Sequence, residues 1–388
     1  MIESIHIKNY KSILDLSFDV GRVNVLIGEN GCGKSNILEA LALAGGAEAN
    51  KLDNEFLASR GIRVTSPSLM RSGFFQNKSR AIEINIKFSD QEKEKEYKLE
   101  NDNQPYSKWT SNQPTLSMSE RVALMAVLRN DDWKVVSTGG DFEDTRLTQE
   151  RVDRAFKEVK QISKSRYLAN MVIYSPEETA LRNLHREGQI EPLGIHGEGL
   201  LKLLQVLSKD KSQFSWEVIR QSLQLLDWFE RIHPLDSKIN ILEELQISLF
   251  DRFTGTKFDQ RSANEGFLFV LFYAALMVSK ETPKIFAIDN VDASLNPKLC
   301  TKIMADIAQL AKQFDKQCFL TTHNPAILDG LDLGDDEQRL FVVSRNRKGH
   351  TRIKRITVES KPVSSTEEEL KLSEAFLRGY LGGLPKNF

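Results

Sequence analysis

The sequence is poor in cysteine and has no long apolar run. Its three cysteines, Cys32, Cys300 and Cys318, are odd in number and far apart, which argues against a disulfide framework or a cysteine-based zinc site and fits a reducing cytosol. The longest apolar run, Phe267 to Val278, is too short to span a bilayer and predicts a buried helix. The first residues alternate like a strand and do not resemble a signal peptide. We therefore expect a cytoplasmic protein without a membrane segment.

The chain also lacks an excess of charge of either sign. Its 53 Lys and Arg residues against 54 Asp and Glu residues give a formal net charge of −1, so any surface that binds an anion must be a local patch. A length of 388 residues allows one large domain or two. The hydrophobic content of 40% and the charged content of 28% are ordinary for a soluble globular protein. The function must therefore be argued from motifs.

The clearest motif lies between an apolar strand at residues 23–27 and an amphipathic helix. Gly28 to Ser35 fits the Walker A pattern G-x-x-x-x-G-K-[ST] in full, in the strand-loop-helix context that the pattern requires. Glycines let backbone N–H groups converge on phosphates at a helix N-terminus, and a chance glycine turn is the alternative. Lys34 would reach the β- and γ-phosphates, and Ser35 would bind Mg²⁺. The predicted ATP-binding residues here are Asn30, Gly31, Cys32, Gly33, Lys34, Ser35 and Asn36.

A second part of a nucleotide site follows another apolar strand. Residues 284–288 end in Asp289, which is typical of a Walker B motif whose carboxylate holds Mg²⁺ directly or through water. The apolar strands 23–27, 284–288 and 318–322 sit beside predicted helices, which indicates an α/β fold with a parallel sheet. Such sheets bind ligands at the carboxyl ends of their strands. The sequence therefore predicts that Ser35 and Asp289 share a metal site.

Several segments together resemble one family. Residues 289–297 resemble the Walker B and D-loop segment of ABC-type ATPases, and residues 320–325 resemble their H-loop. Asn9 to Ser12 is similar to an N-terminal element of the ATPase heads of the SMC and OLD groups. Residues 194–200 and 373–385 are similar to elements of stand-alone AAA-like ABC ATPases. The chain thus resembles the stand-alone AAA-like ABC ATPases that occur in prokaryotic anti-phage defence systems.

The resemblance implies a fold and a division of the chain. The expected fold is an α/β, ABC-type P-loop ATPase head with an N-terminal antiparallel β subdomain and a helical insertion. Residues 1–110 would form an ATPase lobe with Walker A, and residues 111–240 a mainly helical lobe. Residues 241–388 would form a second ATPase lobe with the signature, Walker B, D-loop and H-loop. The three parts would build one composite ATPase domain.

The sequence departs from the family pattern at the catalytic base. The residue after the Walker B aspartate is usually a glutamate that activates the attacking water, and here it is Asn290. A side-chain amide cannot accept that proton. Either Asp292 serves as the base instead, or hydrolysis is slow. The resemblance makes His323 the switch histidine, and an ordinary histidine at a strand end is the alternative. We therefore name Asp292 and His323 as the candidate catalytic residues.

A second departure lies in the signature motif, which corresponds to residues 262–266. Asn264 stands where the family has serine, and Gly266 follows two residues later. Asparagine can still donate a hydrogen bond to a γ-phosphate, as can the backbone at this helix N-terminus. Asn264 and Gly266 are therefore predicted to bind ATP. Both departures weaken the case for an efficient ATPase more than the case for an ATP binder.

The resemblance also implies partners. In ABC-type heads the signature of one protomer completes the Walker site of the other, so we expect a homodimer, or a higher even-numbered homo-oligomer, around ATP and Mg²⁺. About 65 residues follow His323, fewer than a domain usually needs, so a nuclease or toxin effector is expected on a separate polypeptide. The alternatives are an ATPase that acts directly on DNA in repair or chromosome handling and, less favoured by the N-terminal element, a transporter subunit.

Two groups of basic residues are candidates for a nucleic-acid interface. The first recurs at helical spacing in residues 151–164, where acidic neighbours favour an ordinary solvated helix face. The second is denser and lies in a predicted hairpin at residues 340–356. It could bind DNA, RNA or an acidic partner, and the alternative is a sheet edge with protective charges. Its members are Arg345, Arg347, Lys348, Arg352, Lys354 and Arg355.

Overall fold

The computed structural model describes residues 1–74, 80–104, 107–113, 166–182, 191–210, 212–233, 247–361 and 370–384. The strands are β1 (Ile2–Tyr10), β2 (Ile13–Asp19), β3 (Val23–Ile27), β4 (Ile82–Phe88), β5 (Lys95–Glu100), β6 (Thr110–Ser111), β7 (Ile173–Tyr174), β8 (Phe229–His233), β9 (Ser248–Asp251), β10 (Lys257–Phe258), β11 (Ile285–Ile288), β12 (Gln317–Thr322), β13 (Gln338–Arg345) and β14 (Thr351–Ile356). The helices are α1 (Lys34–Glu48), α2 (Asn54–Ser59), α3 (Pro67–Met70), α4 (Glu178–Arg182), α5 (Leu200–Ser208), α6 (Phe214–Leu223), α7 (Glu265–Val278), α8 (Pro297–Gln313) and α9 (Leu372–Leu377), with a 3-10 helix at Pro325–Gly330.

The central sheet has the strand order β14-β13-β3-β12-β11-β7. Strand β3 pairs in parallel with β12 on one side and with β13 on the other, and β11 pairs in parallel with β12 and β7. Every residue of β3 is buried, as expected for a parallel strand that is covered on both faces. The predicted parallel sheet is therefore confirmed, and Ile27, Ile288 and Thr322 lie at the same edge of it.

A second sheet is antiparallel and has the order β2-β1-β4-β5-β6. Its strand β4 alternates strictly between buried and half-buried residues, because one face packs on the core and the other faces outward. Strand β1 lies between β2 and β4 and buries Ile5 and Ile7 in the core. This sheet is the N-terminal antiparallel β subdomain that the sequence predicts.

Two helices are buried around their whole circumference. From Ile37 to its end, α1 is buried between the antiparallel sheet and one face of the central sheet. Residues Phe267 to Val278 of α7 are buried on the other face of the central sheet, which confirms the predicted core helix. The described ranges contain no helix that is both long and apolar enough to cross a membrane.

Two local predictions are corrected by the structure. The polar composition of residues 47–80, with Gly61, Pro67 and Gly73, predicts a loop with little regular structure, yet this segment contains the short helices α2 and α3. The Asp53 side chain caps α2 by accepting from the Phe56 N–H, and Pro67 is the first residue of α3. Both are residues that commonly mark the start of a helix in a sequence. The helix expected at 213–232 ends at Leu223, because Phe229 and Ile232 turn inward in β8, which pairs with β9.

The division of the chain at residues 110 and 240 stays a prediction. Much of the predicted helical lobe, and all of the basic stretch at 151–164, lie outside the described residues. Within that lobe, α5 and α6 confirm the helices expected near 198–208 and in the first half of 213–232. Strand β7 also comes from it and pairs with β11 in the central sheet.

A buried carboxylate connects the two sheets at the end of α1. Glu48 has a side chain that is 1% exposed, and its Oε1 lies 2.6 Å from the Lys95 Nζ. The same oxygen accepts a 2.6 Å hydrogen bond from the Tyr97 hydroxyl, and Oε2 accepts a 2.7 Å bond from the Leu168 N–H. Burial and the neighbouring carboxylate raise the pKa of Tyr97 far above its usual value. Glu48 therefore joins α1 to β5 and to the segment that leads into β7.

We expect Glu48→Ala to lower the free energy of unfolding by about 3 kcal/mol, because it leaves the buried Tyr97 hydroxyl and Leu168 N–H without their acceptor and removes the ion pair with the half-buried Lys95. Urea denaturation followed by circular dichroism measures this loss. Glu217→Ala, which removes an exposed partner of Arg220, is the control and should cost less than about 1 kcal/mol. Equal losses in the two variants would contradict the role given to Glu48.

Candidate functional site

The loop between β3 and α1 depends on two glycines. Gly28 has φ 156°, and a Cβ there would lie 2.0 Å from the Val343 carbonyl oxygen. Gly33 has φ 113°, and a Cβ there would lie 2.3 Å from the Thr351 Oγ1. Gly33 also precedes α1 without a side-chain cap, so the first N–H groups of the helix are left for another acceptor. This is the geometry of a phosphate-binding loop.

Lys34 folds back over this loop. Its buried Nζ donates to the Gly28 carbonyl at 2.8 Å and to the Glu29 carbonyl at 3.1 Å. Burial lowers the pKa of Lys34, and the negative charges of Asp289 and Asp292 oppose that effect. A bound phosphate would add negative charge where the ammonium is poorly solvated. Lys34 is thus placed to exchange two loop carbonyls for phosphate oxygens.

The two predicted metal ligands meet across the sheet edge. The Ser35 hydroxyl lies 3.0 Å from Asp289 Oδ2, and the Thr321 hydroxyl donates to Asp289 Oδ1. Thr321 Oγ1 in turn accepts the Asn290 N–H at 2.9 Å. Among the described residues no group of three or more His, Cys, Asp or Glu side chains could hold a metal alone. A hydroxyl and a carboxylate fit Mg²⁺ that arrives with its waters and with nucleotide phosphates.

The two candidate catalytic residues also lie together. Asp292 Oδ1 accepts a 2.6 Å hydrogen bond from the Thr322 hydroxyl and a 3.3 Å bond from the His323 N–H. Burial, followed by the nearby Lys34 ammonium, lowers the pKa of His323, which favours its neutral form. Asn290 has φ 58°, a left-handed conformation that asparagine adopts more easily than glutamate. The local backbone therefore suits the residue that replaces the usual base.

The predicted signature residues lie at a different cavity. Asn264 is exposed and caps α7, where its Oδ1 accepts the Phe267 N–H at 2.9 Å. Asn264 and Gly266 line a cavity of about 590 Å³ together with Ser294 of the D-loop. Ser35 and Asp289 line another cavity, of about 290 Å³, which shares no lining residue with the first. The signature of one chain and its own Walker residues therefore do not enclose a common space.

The smaller cavity contains residues that the sequence did not mark. Ser175, which directly follows β7, and His196 line it beside Ser35 and Asp289. The His196 Nδ1 lies 3.1 Å from the Ser175 carbonyl oxygen and 3.1 Å from Glu177 Oε1. The sequence offers no partner at metal-ligand spacing from His196 and therefore predicts an ordinary histidine there. The only signal was its place in the Gly194-x-x-Gly197 element, since Gly197 with φ 94° turns the chain there.

The N-terminal Asn9-Tyr10-Lys11-Ser12 element contacts the start of α1. The Tyr10 hydroxyl donates to the buried Glu39 carboxylate at 3.0 Å, and the Lys11 ammonium pairs with the same group. Arg63 is a further partner of Glu39, at 2.5 Å. Ser12 Oγ accepts from the Asn36 amide at 2.7 Å. This element therefore supports the phosphate-binding loop from behind.

The tip of the β13–β14 hairpin reaches the same loop. The Thr351 hydroxyl donates to the Cys32 carbonyl at 2.9 Å, and the Thr351 N–H donates to the Ser12 carbonyl at 3.0 Å. Arg355 pairs with Asp336. The other basic residues of the hairpin form no ion pair with any residue that the structure describes: Arg345, Arg347, Lys348, Arg352 and Lys354.

A protein-family model described as "AAA domain, putative AbiEii toxin, Type IV TA system" matches residues 23–329, well over half of the chain. The chain belongs to this family. Like other P-loop ATPases of the AAA/ABC type, a member of this AAA-domain family is expected to use a nucleotide and typically Mg²⁺, and the hydroxyl, carboxylate and loop geometry described above fit both.

Solved structures confirm the fold of this AAA-domain protein. It is similar to an SMC head bound to the C-terminal winged-helix domain of ScpA, with a TM-score of 0.58 and 15% identity, over 92% of this chain and 98% of that chain. It is also similar to the Pyrococcus furiosus Smc head with an extended coiled coil bound to the C-terminal domain of ScpA, with a TM-score of 0.50 and 14% identity, over 92% and 96% of the chains. The predicted ABC-type head fold is thus confirmed.

One curated relative matches a shorter region. The uncharacterized protein MJECL10 of Methanocaldococcus jannaschii is 37% identical over 98 residues, which is 24% of this chain and 43% of that protein. The matched region thus spans less than half of the relative's length. This similarity is consistent with the family but adds no activity to it.

We expect Thr321→Val to weaken Mg²⁺ binding in the ATP-bound protein by about 10- to 100-fold, because Asp289 loses the donor that orients it. Titration of Mg²⁺ against binding of a fluorescent ATP analogue measures the change. Thr256→Val, in an exposed turn before β10, is the matched control and should leave the Mg²⁺ dependence unchanged. An unaltered Mg²⁺ midpoint for Thr321→Val would contradict this arrangement.

Proposed function

We propose that this AAA-domain protein is an ATP-dependent switch. Two copies close around ATP and Mg²⁺, and the closed dimer controls a separate effector, a nuclease or toxin, in prokaryotic anti-phage defence. The observation that carries this proposal is the exposed position of Asn264, on a cavity separate from the one lined by Ser35 and Asp289. An exposed side-chain amide at a helix N-terminus suits the γ-phosphate of a nucleotide on another chain.

The proposed nucleotide site has two halves. One chain supplies residues 30–36 for the phosphates, with Ser35 and Asp289 for the metal. The partner supplies Asn264 and Gly266. Because the γ-phosphate lies between the chains, ATP binds the closed dimer more tightly than the monomer and shifts the population toward it. A homodimer, or a higher even-numbered oligomer, follows from this division.

The site predicts slow turnover, which suits a switch rather than a motor. Asn290 cannot act as a base, and Asp292 is the carboxylate left nearby in the sequence. One of its oxygens already accepts two hydrogen bonds, which leaves the other to orient or deprotonate water. His323 would contact the γ-phosphate as the switch histidine. A dimer with such a site keeps ATP bound, so the closed state lasts long enough to act on the effector.

The defence role and the separate effector are supported by similarity. The family description names a putative toxin of a toxin–antitoxin system, and the similar SMC heads are bound to parts of ScpA. A head of this fold can therefore present a surface to another protein. The identity of the effector has to come from the genes beside this one.

ATP should convert the protein from monomer to dimer, and this dimerisation should depend on Asn264. Asn264→Asp keeps the acceptor that caps α7 but loses the NH₂ donor and adds a negative charge. Each dimer then lacks two hydrogen bonds to phosphate, worth about 1.5–3 kcal/mol each, so the dimer Kd should rise at least about 100-fold. Sedimentation velocity with a slowly hydrolysed ATP analogue measures it.

Asn264→Ser is the matched control, since serine both caps a helix and donates a hydrogen bond. It should dimerise within about tenfold of the natural protein. If the natural protein remains a monomer at saturating ATP and Mg²⁺, the switch proposal is wrong.

A second candidate function is an ATPase that acts directly on DNA. The observation that favours it is a group of five hairpin residues that form no ion pair within the described ranges: Arg345, Arg347, Lys348, Arg352 and Lys354. The hairpin that carries them is joined through Thr351 to the Cys32 carbonyl. A cluster of unpaired cations attracts a phosphate backbone.

Turnover distinguishes the two candidates. We expect slow phosphate release that DNA does not stimulate, and an increase of at least about 100-fold in Asn290→Glu, because a positioned general base is restored. Asn50→Glu is the control, since Asn50 is also left-handed, with φ 53°, but lies outside the site. Fast, DNA-stimulated turnover that survives Asp292→Ala would support the DNA-acting ATPase instead.

A further inference from the structure

The loop before α7 is held by one side chain from another part of the chain. Arg182 Nη1 donates to the Gln260 carbonyl at 2.6 Å and to the Arg261 carbonyl at 2.8 Å. Its Nη2 donates to the Ala263 carbonyl at 2.7 Å. These three carbonyls belong to the residues that immediately precede Asn264. The signature loop is therefore shaped by a guanidinium from α4.

Arg182 is itself fixed by its own helix. Its Nε donates to Glu178 Oε1 at 2.9 Å, and its Nη2 lies 2.5 Å from the same oxygen, one helical turn away. The hydrogen bond from Arg182 lowers the pKa of Glu178, so the carboxylate stays charged. All five N–H donors of the guanidinium thus have an acceptor. A lysine has three donors on one nitrogen and cannot reproduce this planar fork.

The helix that carries Arg182 is also tied to the Walker side of the chain. Seven residues before Arg182 lies Ser175, which lines the cavity of Ser35 and Asp289. Strand β7 ends beside Asp289, whose N–H donates to the Tyr174 carbonyl at 2.8 Å. Leu181 is buried in the core, where a Cβ on Gly197 would lie 2.3 Å from it. Residues 174–182 therefore run from the metal-binding side to the signature loop.

We propose that Arg182 is a positioning residue that sets the signature loop so that Asn264 and the start of α7 can meet the nucleotide of a second chain. The proposal rests on the proposed function. It adds a structural connection through which the cavity of Ser35 and Asp289 can affect the signature loop of the same chain. A shift at Ser175 when ATP and Mg²⁺ bind moves α4, and Arg182 carries that shift to the carbonyls before Asn264. The hydrogen bonds that the structure describes for Arg182 go to Glu178, Gln260, Arg261 and Ala263, and none of them goes to the phosphate loop of its own chain.

The test compares binding with dimerisation in the full chain. We expect Arg182→Ala to bind a fluorescent ATP analogue within about twofold of the natural protein, because residues 28–35 are intact, while its ATP-dependent dimer Kd rises at least about tenfold. Arg182→Lys keeps the charge, and its dimer Kd should lie between those of the natural protein and Arg182→Ala. Arg220→Ala removes an arginine with a partner three residues away on an exposed helix face and should dimerise normally.

Mixing variants separates positioning from a general folding role. Lys34→Ala lacks a working phosphate loop but keeps its signature loop, and Arg182→Ala has the opposite defect. At a protein concentration between the dimer Kd of the natural protein and those of the variants, neither variant should dimerise alone. Their mixture should form heterodimers, detected by two-colour sedimentation, since one of the two composite sites is complete. A purely structural role for Arg182 would lower the melting temperature and ATP affinity, and mixing would not restore the dimer.

The outcomes are distinct. If Arg182→Ala and Arg182→Lys both dimerise like the natural protein, or if mixing with Lys34→Ala restores nothing, Arg182 does not position the signature loop. If the natural protein itself remains monomeric with ATP, the switch proposal fails, and the role of Arg182 fails with it. The natural protein is measured first, so the two failures cannot be confused.

Discussion

The parallel pairing of β3 between β12 and β13 is the constraint on which the site depends. Ile27 lies level with Thr322 on one side and Val342 on the other. Because parallel strands end at a common edge, the loops that follow them converge there. This pairing alone makes three features neighbours: the Walker loop, the H-loop residues and the Val343 carbonyl that lies against Gly28. Strand β11 lies on the far side of β12 from β3 and places Asp289 beside Ser35.

Charge is placed at this edge before any nucleotide arrives. Lys34 and Glu39 are both buried, and each is stabilised by groups of its own chain, loop carbonyls for the lysine and cationic side chains for the carboxylate. The free-energy cost of desolvating Lys34 is therefore offset during folding and not during nucleotide binding. A phosphate entering the loop finds a cation and helix N–H groups already oriented, which is how preorganised sites strengthen electrostatic interactions.

The sequence could predict what is local to the chain. A strand, a glycine loop and a helix in succession predict a phosphate site, and an apolar strand that ends in Asp289 predicts its metal ligand. It could not predict contacts between distant segments, such as Thr321 with Asp289, His196 with Ser175, or Arg182 with the carbonyls before Asn264, because no periodicity records them. Helix α2 was missed although Asp53 marks its start, and the helix near residue 223 was extended too far because the inward turn of Phe229 depends on β9.

The hydrogen bond from Thr351 to Cys32 joins residues 319 positions apart, and this has a consequence for biosynthesis. A ribosome that has made only the first third of the chain has made the whole Walker motif, but both neighbours of β3 are still missing. Unpaired strand edges of this kind are prone to wrong pairing. The Walker loop therefore gains its strand neighbours and its contact with Thr351 only after residues 317–351 have been made.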